Sequence, residues 1–111
     1  MTTFVTIGYG DQTDYQRTRP ELRDDAHAQD AALRRRGAAM GVAGQPVQVR
    51  NHDASGVKVD SGAFMRSSLP VAGFAVIEAA TIEEAIELVS RTPSAVAYGV
   101  VEVWPLEDLS A

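Results

Sequence analysis

Helical periodicity occurs in two places only, residues 20–36 and 81–91, and every other patterned segment of the chain reads as strand. Parallel strands each need a long crossover, commonly a helix, so two helices among four or more strands force most of the pairing to be antiparallel. Residues 3–9 are rich in β-branched and aromatic types and end in the turn signal Gly10-Asp11. Pro20 suits a first helical turn. Glu21, Asp24 and Asp25 complement the positive end of that helix, and Arg34, Arg35 and Arg36 its negative end before Gly37. Leu22, Ala26 and Leu33 share one narrow face, with Asp30 near its edge and His27 further round.

Residues 38–44 are small and apolar and read as a second strand. Val47 to Arg50 and Val57 to Asp60 alternate with period two around a polar turn, which predicts a β-hairpin with one wet face. Residues 71–79 are apolar at nearly every position, as in a strand buried on both faces. Thr81 and Glu84 form a capping-box pattern, and Ile82, Ala85, Ile86 and Val89 give the second helix its stripe up to about Arg91. Pro93 stops that helix, and residues 98–104 form the last strand before Pro105 and an acidic tail. The order predicts one α+β domain over residues 1–111, a ferredoxin-like split βαβ core with an inserted β-hairpin. Two helices cover one face of such a sheet and leave the other bare. Two copies packed face to face through the bare face would form a dimeric α+β barrel, so a homodimer is expected.

The balance of charge narrows the partners. A net charge of -5 would repel phosphate backbones, which argues against nucleic acid. No apolar run approaches the roughly 18 residues of a membrane span. The chain has no cysteine, and its opening residues lack the basic head and apolar stretch of a secretory signal. A cytoplasmic protein is the expectation.

Several short stretches in order suggest a family. They are Ile7 to Gln12, the helix carrying His27 and ending at Gly37, Val42 to Pro46, Ser61 to Phe64, and Ala72 to Glu78 followed by a capped acidic helix. Together they resemble the YCII-related proteins, specifically the DGPF branch, over nearly the whole chain. The resemblance implies a dimeric α+β barrel whose members have no established physiological reaction, with a His and Asp pair as a possible acid/base site. The family's Asp-Gly-Pro-Phe signature falls on Ser61-Gly62-Ala63-Phe64. The acid is replaced by Ser61, and Asp60 stands one place earlier. Adjacent strand residues face opposite ways, so Asp60 can take the acid's part only if the chain bulges there.

His27 is the histidine best placed for chemistry, because an imidazole titrates near neutrality and a neighbouring carboxylate can orient it. Asp24 and Asp30 lie within reach on the same helix. The plainer reading is a half-exposed helix histidine in a local ion pair. His52, in a polar turn, reads as solvent-exposed. A ligand pocket is expected between sheet and hairpin, bordered by His27 and Asp30, by Tyr9 or Asp11 at the first strand end, and by Asp60, Ser61 or Phe64 at the hairpin exit. The histidines and scattered acids have no metal-ligand spacing, and no phosphate-binding glycine loop or nucleophile motif occurs, so neither a metal nor a cofactor is expected. Two functions are carried forward: a noncatalytic homodimeric module that binds a small ligand, and a cofactor-independent lyase, isomerase or hydrolase using His27 with an Asp.

Overall fold

The computed structural model describes residues 1–107, and the end of the acidic tail, residues 108–111, lies outside them. The elements run β1 (Thr2–Tyr9), α1 (Gln12–Arg17), α2 (Pro20–Arg35), β2 (Ala39–Val42), β3 (Val47–Arg50), β4 (Lys58–Ser61), β5 (Val71–Ala79), α3 (Ile82–Val89), α4 (Pro93–Val96) and β6 (Val100–Pro105). Four strands form an antiparallel sheet in the order β2-β5-β1-β6, while β3 and β4 form a separate ribbon. β5 separates β1 from β2, and β1 separates β5 from β6. This interleaving is the split βαβ topology of a ferredoxin-like α+β fold. The sheet is open, so a single chain closes no barrel.

Strand alternation divides the residues between two faces. Phe4 lies opposite Ile77 and Thr6 opposite Ala75, and these four are buried beneath the helices. Ala79, Ala85 and Val89 complete that core, and Ala26 and Leu33 of α2 are equally buried. Val5, Ile7, Phe74, Val76 and Trp104 occupy the opposite face by register. There Phe74 is 45% and Trp104 55% exposed. β5 is therefore buried on one face and not on two; among the described residues no layer covers its second apolar row.

Local chemistry sets the boundaries. Thr81 caps α3, its hydroxyl accepting from the Glu84 N–H at 3.1 Å while the Glu84 carboxylate accepts from Ala80 N–H at 3.1 Å. α3 ends at Val89, two residues before the expected end. Pro93 both ends that segment and opens the single turn of α4, which the sequence reading treats as a connection. α1 replaces a loop expected after Gly10. The Asp11 carboxylate caps it by accepting from the Asp14 N–H at 2.8 Å, and the Thr18 hydroxyl donates to the Asp14 carbonyl at 2.8 Å. β6 begins at Val100, later than the expected Tyr98, because Tyr98 adopts a left-handed φ of 63°. Gly99 then passes so close to β1 that a Cβ on it would stand 2.0 Å from the Tyr9 carbonyl oxygen.

Candidate functional site

A cleft of about 190 Å³ opens between α2, α4 and the helix-covered face of the sheet. Its floor is hollow because the side chains that should fill it are missing. Gly8 and Gly73 face each other across β1 and β5, and Ala75 follows. Both glycines are held small: a Cβ on Gly8 would meet the Ser94 Oγ at 2.6 Å, and one on Gly73 the Gly41 carbonyl oxygen at 2.6 Å. Met40 and Val101 supply apolar wall, with Thr6, Thr92 and Ser94 between them. The Thr6 and Thr92 hydroxyls donate to the carbonyls of Ala75 (3.3 Å) and Val89 (2.6 Å), which leaves oxygen lone pairs as acceptors.

The polar rim comes from one helix. His27, Asp30 and Arg34 of α2 all line the cleft, at the three- and four-residue spacing that stacks side chains along one helix face. Burial pushes the Asp30 carboxyl above its ordinary value, and the charges of Arg34 and His27 pull weakly the other way. Among the described residues Arg34 makes no ion pair within 4 Å, whereas Arg36 reaches Glu84 at 3.6 Å.

His27 is exposed, and its partner is neither expected aspartate. The Tyr15 hydroxyl lies 2.7 Å from His27 Nε2, with the two rings edge-on at 5.8 Å between centroids. The Arg23 guanidinium lies 5.1 Å from the Tyr15 ring centre. α1 is anchored at its other end by Arg17, which sits 3.5 Å from the centre of the Tyr98 ring and pairs with Asp14 at 2.8 Å. Tyr15 escapes a reading of the sequence because α1 buries no residue and so writes no stripe. The available signal is the Asp11 cap with Asp14 in the first turn.

The remaining expected site residues lie elsewhere. Tyr9 points its hydroxyl along the bare face, donating to Glu102 Oε1 at 2.5 Å, with the Met65 sulfur at 3.6 Å. That hydrogen bond, then burial, then the carboxylate's charge hold the phenol above its ordinary range. Asp11 is spent on the α1 cap. Asp60 faces Gln48 across the ribbon and pairs with Arg50 at 2.9 Å; Ser61 faces Val47 on the opposite side. The ribbon has no bulge at Asp60, so Asp60 and Ser61 keep opposite faces. Phe64 is 75% exposed. The structure thus brings His27 and Asp30 together with glycine-floored sheet and not with the hairpin exit.

Among the described residues no three His, Cys, Asp or Glu side chains gather as a metal site would require, and no helix is long and apolar enough to cross a membrane. No protein-family model matches the chain, and no curated protein matches it either.

Proposed function

We propose that this chain is a homodimeric member of the YCII-related proteins, DGPF branch, and that it binds a small ligand in the cleft under α2. The observation that carries the binding role is the contrast between an apolar, glycine-floored interior and a rim of His27, Asp30 and Arg34 on one helix. Such a site takes a compact apolar body and fixes its polar end. At about 190 Å³ it suits a molecule smaller than the drug-sized ligands that fill roughly 300 Å³ or more. The homodimer reading rests on Phe74, Val76, Val100 and Trp104, a row of exposed apolar side chains on the uncovered sheet face. Two such faces packed about 10 Å apart would make the barrel that one chain leaves open. A cytoplasmic location accompanies this reading.

The test is an amide and imidazole NMR titration with small carboxylic acids, phenols and amides. Shift changes clustered on His27, Asp30, Gly41 and Gly73 are expected. A set of probes that moves none of them, or moves only the hairpin, refutes the cleft as a binding site.

A cofactor-independent lyase, isomerase or hydrolase is the second reading, and the Tyr15–His27 contact at 2.7 Å favours it. A phenol can orient an imidazole for proton transfer as a carboxylate does. For an enzyme, His27→Ala abolishes turnover and spares affinity. For a binding module, the same substitution costs affinity or nothing.

A further inference from the structure

Arg23, His27, Asp30 and Arg34 recur along α2 at three- and four-residue spacing and so share one strip of the helix. The last three line the cleft, while the Arg23 guanidinium lies against Tyr15 instead. Asp30 stands one turn before Arg34, the order in which an acid and a base on a helix pair best. Yet the two form no ion pair within 4 Å. Asp30 is half-buried and Arg34 exposed, and burial favours the neutral form of the Asp30 carboxyl. The fixed charge at the mouth of the cleft is therefore the Arg34 guanidinium, which stays protonated throughout the pH range of folded proteins. Its service to the C-terminal end of α2 is shared with Arg35 and Arg36, and of these three only Arg34 lines the cleft.

We infer that the cleft takes a small monocarboxylic acid, its carboxylate on the Arg34 guanidinium and its apolar body over Gly8 and Gly73. The inference rests on the binding role proposed above and names the chemistry of the ligand's polar end. A guanidinium presents a planar fork of N–H donors, which a carboxylate meets with two parallel hydrogen bonds. One such fork stands at the mouth, and Asp30 lies a turn away, so a second negative charge on the ligand would face a carboxyl. His27, the other group there able to carry positive charge, already meets the Tyr15 hydroxyl through Nε2. The opposite wall opens α4 at Pro93, which has no N–H to give a phosphate. A singly charged carboxylate is thereby favoured over a doubly charged phosphate. Size agrees: an apolar cavity of about 150 Å³ holds benzene, so a cleft of about 190 Å³ admits one ring or a short branched chain with the acid group at the rim.

Matched probes separate the polar end from the cleft itself. Benzoate, benzamide, phenyl phosphate, isovalerate and isovaleramide are titrated into the chain and followed by amide NMR. Both acids are expected to shift Gly41 and Gly73 and to bind at least roughly fivefold more tightly than their amides, with phenyl phosphate no tighter than benzoate. That comparison needs no variant. Arg34→Gln should bring each acid down to the level of its amide and leave the amides unchanged, while Arg35→Gln, outside the cleft, keeps the preference. Three results overturn the monocarboxylate and spare the cleft, provided the shifts stay on Gly41 and Gly73: amides that bind as well as the acids, phenyl phosphate that binds more tightly than benzoate, or a preference that survives Arg34→Gln or is lost equally in Arg35→Gln. Shifts confined to other surfaces, or none from any of the five probes, overturn both the monocarboxylate and the cleft.

Discussion

His27 and Asp30 sit one turn apart on α2 yet answer to different neighbours. Nε2 of His27 lies 2.7 Å from the Tyr15 hydroxyl, and a phenol that donates to Nε2 leaves the proton of the neutral ring on Nδ1. Nitrogen NMR at a pH where His27 is neutral should find the Nδ1–H tautomer dominant, and Tyr15→Phe should shift the population toward Nε2–H. An unchanged tautomer ratio in the variant would show that the contact orients nothing. Asp30 is raised mainly by burial, so its folded form holds a proton more tightly than its unfolded form. Its contribution to stability is fully present in acid below 3.8 and is lost as pH climbs through the raised folded value. Asp30→Asn, which mimics the neutral acid, should match the wild type in strong acid and exceed it in urea unfolding at neutrality. A less stable variant at neutrality would refute the assignment. The sequence alone makes His27 and Asp30 legible because helical spacing sets them on adjoining strips of α2. Tyr15 arrives from a different, one-and-a-half-turn helix, and no spacing rule connects it to His27.

At the scale of elements, the ends of β1 and β6 are fixed by a close approach. Gly99 passes the Tyr9 and Ser94 carbonyl oxygens, which would lie 2.0 and 2.5 Å from any Cβ. Both are backbone atoms and have little room to yield. Gly99→Ala should cost about 2–4 kcal/mol in denaturant unfolding, whereas Gly10→Ala, with no atom within 4 Å of its Cβ, should stay within about 0.5 kcal/mol. Equal effects at the two positions would falsify the crowding argument. The long elements were readable from the sequence for physical reasons: the Thr81 cap, the Arg34 to Arg36 run at a helix C-terminus and the alternation of Val47 to Arg50 each encode a local preference. α1 and α4 were not, since six and four residues cannot carry a hydrophobic period. The apolar character of β5 was legible but ambiguous, because a row left uncovered and a row covered by its own chain share one composition.

For the whole molecule, the proposed homodimer makes the bare face the surface to test. Phe74 lies in mid-sheet, between Ile7 of β1 and Gly41 of β2. A carboxylate there would be buried without a partner in a face-to-face dimer and left in water in a monomer. Phe74→Asp should therefore sediment near 11.9 kDa and keep its fold, whereas the proposed dimer predicts twice that mass for the wild type. A variant that remains dimeric would move the interface elsewhere. The strand order has a further consequence, for the time at which this sheet can come into being. β1 lies at the centre, yet both of its neighbours come from the far end of the sequence: Thr2 pairs with Ala79, and Phe4 with Pro105. During synthesis at about 5–20 residues per second, β1 waits roughly 4–14 s for β5. Until then its row of β-branched residues has no native partner, and only elements that need local contacts alone, α1, α2 and the β3–β4 ribbon, can begin to form. Loop-closure entropy must be met before the central pairing returns any free energy, so refolding should be slow for a chain of this length. The nascent chain's exposure to aggregation is thus concentrated at its first strand, well before the cleft exists.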